Sequence, residues 1–198
     1  MILAQAEIRK ELEDGKIRFD PPLEDRQWGE AGVNLRLGLK FTKFLGKKGV
    51  AFSMADGIGA LADTGLWHEE VFEPVDKFGK RRTYALEPNE FILAQTYERL
   101  WIPRHLIGMV EGRSTYARAG LSMHQTAPWL QPGWNGQITL EIRNSGNNTI
   151  LLTPIIDQPC QVTFLALSSE VPEKDAYGSR TTDVFQNQTQ ALPTQKGK

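Results

Sequence analysis

With 198 residues, 40% of them hydrophobic and 24% charged, the chain can bury one substantial core and is too short for two domains of usual size. A formal net charge of −1 excludes a global basic field able to hold a nucleic-acid polymer, so an anionic ligand must be met by a local cluster. The single cysteine, Cys160, excludes a disulfide framework within the chain and points to a reducing compartment.

Residues 4–14 have the pattern of a short amphipathic helix. Ile8 and Leu12 share one face, the other face is charged, and Gly15 is placed to stop the helix. Met1 to Ala4 are apolar, but Glu7, Arg9 and Lys10 follow at once, and no apolar run approaches membrane-spanning length. A cytoplasmic protein without a signal peptide or a membrane partner is the expectation. After Pro21-Pro22, the run Gly32-Val33-Asn34-Leu35-Arg36-Leu37-Gly38 alternates with period two and predicts a strand, with Asn34 and Arg36 on its polar face. Residues 45–66 shift to Gly and Ala and read as a loop or irregular insertion to which no chemistry attaches. Residues 77–82 set four cations around Gly79, most simply as a hairpin turn, since a nucleic-acid patch needs interleaved aromatics and more charge.

Phe91 to Thr96 predict a buried strand, and residues 100–110, with Pro103, a strand and turn. Residues 149–152 and 161–167 predict two more strands. Many short strands at close spacing, Gly/Pro turns and one N-terminal helix indicate a mainly β chain, a barrel or jelly roll. From Val171 onward the chain turns polar, which divides it into a β domain at 1–170 and a flexible tail at 171–198.

Residues 111–144 carry the candidate chemistry. The turn Gly112-Arg113-Ser114-Thr115-Tyr116-Ala117-Arg118 offers two guanidinium forks and two hydroxyls, a set suited to an anion. One helical turn there sets Ser114 and Arg118 on the same face at i,i+4 spacing, and free N–H groups at its start add to phosphate attraction. A surface turn whose arginines pair with nearby carboxylates explains the same residues. In the run from Gly136 to Asn144, Ile138, Leu140 and Ile142 alternate with Gln137, Thr139, Glu141 and Arg143. One face is apolar, and the other carries a single carboxylate, Glu141. A carboxylate in that position is ordinarily just solvated, so the strand alone does not assign it a role.

These segments resemble a known family. GRSTYARAGL followed by HQTAPWLQPGWNGQITLEIRNSGN is similar, in order and spacing, to the signature of the dCTP deaminases, within the dCTP deaminase/dUTPase superfamily. The resemblance extends to MILAQAEIRKEL, GVNLRLG, EPNEFILAQTYERLWIP and the tail, and omits residues 45–82. It implies a distorted β-barrel or jelly roll of the dUTPase-like type with a short N-terminal helix and a C-terminal lid. It also implies a homotrimer with active sites between subunits, and conversion of dCTP and water to dUTP and ammonia. Zinc-dependent nucleobase deaminases need a His/Cys/Cys or three-Cys site with H-x-E and P-C-x-x-C patterns. This chain has one Cys and the scattered His68, His105 and His124 without either pattern, so a zinc-independent reaction is expected.

In such a reaction one carboxylate can activate the water and deliver protons to N3 and the leaving ammonia. Glu141 is the expected shuttle, with a carboxyl pKa raised by its apolar surroundings. Ser114 is expected to hold the water and Arg118 to orient the acid. The resemblance implies that Arg113, Ser114 and Thr115 face a triphosphate carrying Mg²⁺, and that the backbone of Gln125, Thr126 and Ala127 reads the base edge. It further places Thr139 and Leu140 against sugar and base, and Tyr177 and Gln188 as lid contacts. His124 is expected to be structural.

Three positions depart from the family pattern. Asn34 stands where Asp is common, and Val184 where a lid Lys is typical. In the third, the loop Leu130-Gln131-Pro132-Gly133 has Gln131 in place of the Asp that activates water for phosphate-ester attack in dUTPases and bifunctional members. A neutral Gln cannot take that proton, which disfavours a bifunctional deaminase/dUTPase. A nucleotide-binding protein without turnover, or with altered nucleotide preference, is the remaining alternative.

Overall fold

The computed structural model describes residues 1–192. Helix α1 (Gln5–Glu13) starts after Ala4, whose N–H donates to the Glu7 carboxylate at 2.9 Å, and buries Ile8. It ends before Gly15, which adopts the left-handed conformation at φ 69° that only glycine takes without strain. Twelve strands follow in chain order: β1 (Arg18–Asp20), β2 (Val33–Leu35), β3 (Leu37–Phe44), β4 (Trp67–Val71), β5 (Tyr84–Leu86) and β6 (Phe91–Trp101). The rest are β7 (Leu106–Gly112), β8 (Leu121–Ser122), β9 (Trp129–Leu130), β10 (Asn135–Asn144), β11 (Ile150–Leu152) and β12 (Cys160–Ala166). Two short helices interrupt them, α2 (Gly59–Asp63) and α3 (Ser114–Ala117).

Three antiparallel sheets wrap one core. The largest runs β4-β3-β6-β10-β8, with β1 on the end of β6; a second runs β2-β12-β7-β9; and β11 pairs with β5. The expected mainly β architecture is met, although the sheets do not close into one continuous ring among the described residues. Inward-facing Ile138, Leu140 and Ile142 of β10 meet Val162 and Phe164 of β12 in that core, all of them at most 4% exposed. A stacked pair, Phe41 and Tyr84 at 4.7 Å between ring centroids, fills the space beneath β3.

The insertion at residues 45–66 is not structureless. It holds α2, and Leu61, Ala62, Trp67, Phe44 and Phe91 pack with Leu93 in a second apolar cluster on the outer face of the large sheet. Residues 77–82 form the expected hairpin turn, closed by the Val75–Arg81 bridge. No helix among the described residues is long and apolar enough to cross a membrane.

Arg36 departs from its expected place on an open polar face. The junction of β2 and β3 turns it inward, and it is 5% exposed. Its Nε lies 2.6 Å from the fully buried Glu98, which also accepts from the Arg36 N–H and from Gln27 Nε2, and its guanidinium also pairs with Glu24. Two charges out of water are tolerated here because each is paired and hydrogen-bonded. Removing one partner strands the other. Arg36→Ala is expected to lower stability by about 3–5 kcal/mol in urea unfolding, while the apolar pair Arg36→Met with Glu98→Leu costs far less. Equal losses for both variants would contradict this assignment.

Candidate active site

The outward side of β10 is set by its inward side. Because Ile138, Leu140 and Ile142 are held in the core, Thr139 and Glu141 must project to the opposite face. They line a cleft of about 380 Å³ together with His124, Ala127, Gln131, Tyr177 and Gln188. Its remaining wall is apolar, from Phe91 and Leu93 on β6, Ile58 and Leu61 around α2, and Trp134. Apolar walls around a few convergent polar groups are what a small-molecule site requires.

Glu141 is held rather than free. Its Oε2 accepts the backbone N–H of Gln125 at 2.8 Å, its backbone N–H donates to the Met123 carbonyl at 3.0 Å, and Gln125 Nε2 donates to its carbonyl at 3.2 Å. The segment 123–125 is thereby pinned beside the acid. His124 Nε2 lies 3.0 Å from the Glu111 carboxylate, a pairing that ties this segment to the end of β7. The described residues hold no group of three or more His, Cys, Asp or Glu placed to grip a metal ion.

The tail crosses the cleft. Tyr177 N–H donates to the Pro132 carbonyl at 2.9 Å, and Trp134 Nε1 donates to the Phe185 carbonyl at 3.1 Å. Gln188 bridges to Gly136, and its Nε2 donates to Gln137 O at 2.8 Å and to Thr139 Oγ1 at 2.5 Å. A Cβ on Gly136 would sit 2.9 Å from the Gln188 nitrogen, so only glycine lets the strap lie this close. Ala191 and Leu192 then bury themselves against Leu93 in the outer apolar cluster. Residues 193–198 of the expected tail lie outside the described residues.

Of the residues singled out in the sequence, Glu141, Thr139, Ala127, Gln131, Tyr177 and Gln188 converge on one cleft, and Gln125 touches Glu141. Leu140 does not join them, because its side chain is fully buried on the core face. Thr126 is exposed and does not line the cleft. Arg113, Ser114, Thr115 and Arg118 also stand apart, on α3 and its ends. Ser114, Thr115 and Arg118 are exposed, and Arg113 Nη1 donates to the Gln158 carbonyl at 3.0 Å. What sequence reasoning missed is the apolar wall. Period-two alternation along β6 puts Phe91 and Leu93 on the Glu141 side, whereas nothing in the sequence of residues 45–66 marks Ile58 and Leu61 as its cover.

Tyr116 fixes the position of α3. Its hydroxyl donates to Asp157 Oδ1 at 3.0 Å and accepts from the Gln158 N–H at 3.2 Å. Burial, then the negative charge and hydrogen bond of Asp157, push its phenol up to about 12.

Residues 2–166 match the dCTP deaminase-like family. The chain belongs to the dCTP deaminase-like family. It is 34% identical over 182 residues to a protein of Methanosphaera stadtmanae named "dCTP deaminase, dUMP-forming", covering 92% of this chain and 86% of that one. It is 36% identical over 193 residues to a dCTP deaminase of Natronomonas pharaonis, covering 96% and 91%. Among solved structures, the 2′-deoxycytidine 5′-triphosphate deaminase of Agrobacterium tumefaciens superposes with a TM-score of 0.62 at 19% identity. That superposition covers 87% of this chain and half of the other, and it supports the shared fold.

The Tyr116 phenol yields a pH test. The folded state keeps a proton that an unfolded Tyr loses near pH 10. Stability present below about pH 10 should therefore fall as pH rises toward about 12. Urea midpoints measured across that window should decline less steeply in Tyr116→Phe than in the wild type, with Tyr84, Cys160 and Tyr177, all also pushed up by burial, contributing to the residual slope. Identical slopes would contradict the placement of Tyr116.

Proposed function

We propose that the protein is a zinc-independent dCTP deaminase that hydrolyses the amino group of dCTP to give dUTP and ammonia. The observation that carries this reading is Glu141, fixed by the Gln125 N–H at 2.8 Å inside a cleft of nucleotide size. The names of two relatives that each match more than nine-tenths of this chain point to the same substrate.

The chemistry asks one group to do three things. Glu141, ionised at first, takes a proton from water as its oxygen attacks C4 of the cytosine ring. It then protonates N3, and the regenerated carboxylate next takes the remaining proton from the new C4 hydroxyl and delivers it to the amino nitrogen, which leaves as ammonia as the C4–N bond breaks and the carbonyl forms. Its hydrogen bond to the 123–125 backbone keeps one oxygen turned toward the base edge while the other is free for the water. Gln125 to Ala127 read that edge, Thr139 flanks the sugar, and Tyr177 and Gln188 close from above. Mg²⁺ would arrive with the triphosphate and neutralise part of its charge; it favours phosphate and water oxygens, and the described residues hold no group of three or more carboxylates, His or Cys placed to grip it.

Arg113, Ser114, Thr115 and Arg118 complete the site from a neighbouring protomer in a homotrimer. The exposure of Ser114, Thr115 and Arg118 on α3, away from the cleft of their own chain, supports that assignment. Ser114 then holds the attacking water, Arg118 orients Glu141, and the cluster meets the phosphates. The protein should elute near three times its 22.3 kDa chain mass; elution as a monomer would contradict this arrangement.

The product rests on Gln131. Four relatives, the Methanosphaera stadtmanae protein among them, are named dUMP-forming, which keeps a bifunctional reading in play. Gln131 lines the cleft as a neutral amide and cannot accept a proton from a water attacking phosphorus. Incubation with dCTP and Mg²⁺ is expected to release ammonia without pyrophosphate, and Glu141→Gln to lower ammonia release by 10³-fold or more, on the order expected for an essential proton carrier. Turnover unchanged in Glu141→Gln would overturn the assignment, and stoichiometric pyrophosphate would replace dUTP by dUMP as the product.

A further inference from the structure

Beneath the tail, β6 sets Gln95 directly across from Thr139, in the same run of pairs that sets Leu93 across from Glu141. Residues opposite one another in an antiparallel pair project to the same side, and so do residues two apart on one strand. Gln95 therefore shares the face of Leu93, Thr139 and Glu141, all three of which line the cleft. It is 2% exposed, and its Nε2 has no acceptor within hydrogen-bonding reach among the described residues. The tail runs close by, since Gln188 donates to Thr139 and Lys40 Nζ donates to the Thr189 carbonyl at 3.1 Å.

An amide buried without a partner lowers stability relative to an apolar side chain of similar size. The neighbours Ile92, Leu93 and Ala94 are apolar, so packing in this part of β6 does not call for an amide. A free donor under the strap, on the floor beside the cleft, is instead suited to an oxygen that arrives with the ligand.

We propose that Gln95 is a sugar-binding residue, its Nε2–H donating to the 3′-hydroxyl oxygen of the deoxyribose. This rests on the dCTP reading above. With the pyrimidine C4 at Glu141, two residues along the strand lead about 6.6 Å away, to Thr139 and Gln95. That is the scale separating the reacting carbon of a pyrimidine nucleotide from its sugar. When Gln188 turns from Thr139 to the nucleotide, the sugar settles over Thr139 and meets the waiting donor. A ligand without the 3′-hydroxyl leaves the donor buried and unpaired, which gives the site discrimination as well as affinity.

Calorimetric titration with dCTP and with its 2′,3′-dideoxy counterpart tests this in the wild type and in Gln95→Met, with Gln95→Leu as a second variant should the first fail to fold. The wild type is expected to bind dCTP about tenfold more tightly than the dideoxy nucleotide. Gln95→Met should lose that preference by weakening dCTP alone, while its thermal midpoint stays level or rises because an unpaired donor is gone. Full discrimination retained in either folded variant overturns the role of Gln95 and leaves the dCTP reading intact. A wild type that binds neither nucleotide overturns both.

Discussion

The site depends on the register between β6 and β10. Glu141 lies opposite Leu93 and Thr139 opposite Gln95, and the alternate residues Ile138, Leu140 and Ile142 are locked in the core. A slip of one residue would bury the carboxylate and expose three large apolar side chains. Core packing therefore fixes which way the acid points, and the Gln125 N–H at 2.8 Å fixes its orientation there. At the far end of the strand Asn144 secures the register, with Nδ2 donating to Leu86 O at 3.1 Å and Asn148 O at 2.9 Å.

Around that strand the chain builds two surfaces of different character. The cleft side is concave, partly apolar and strapped by the tail from Tyr177 to Leu192. The α3 side is cationic, with Ser114, Thr115 and Arg118 exposed. Ser114 and Arg118 have the chemistry to serve a carboxylate, yet no hydrogen bond joins either to Glu141 among the described residues. In the proposed homotrimer a second copy presents α3 to the cleft, and symmetry repeats the same junction at each interface of the closed ring.

Much of this was legible in the sequence, for physical reasons. The period-two alternation of residues 136–144 located β10 and showed which of its faces bears Glu141, because a half-buried strand has only two faces. The amphipathic face of α1 and its stop at Gly15 were equally plain. Arg36 was not, since alternation assigns a side but cannot foresee a buried carboxylate, Glu98, 62 residues away in sequence drawing it inward. Nor was the role of residues 45–66 visible: Ile58 and Leu61 acquire a function only when folding brings Phe44, Phe91 and the tail against them. Leu140 shows the limit of motif reading, because a neighbour of the acid in sequence is its opposite in space.

The proposed site is shared between protomers, with the acid from one and the guanidinium from the next. Mixing two variants tests that sharing most directly. Glu141→Gln and Arg118→Ala should each be inactive alone. Unfolded and refolded together, they should regain a fraction of wild-type ammonia release, because some interfaces then pair an intact Glu141 with an intact Arg118. No recovery from a mixture shown to form mixed oligomers would contradict the shared site, and would require Arg118 to act on the Glu141 of its own chain.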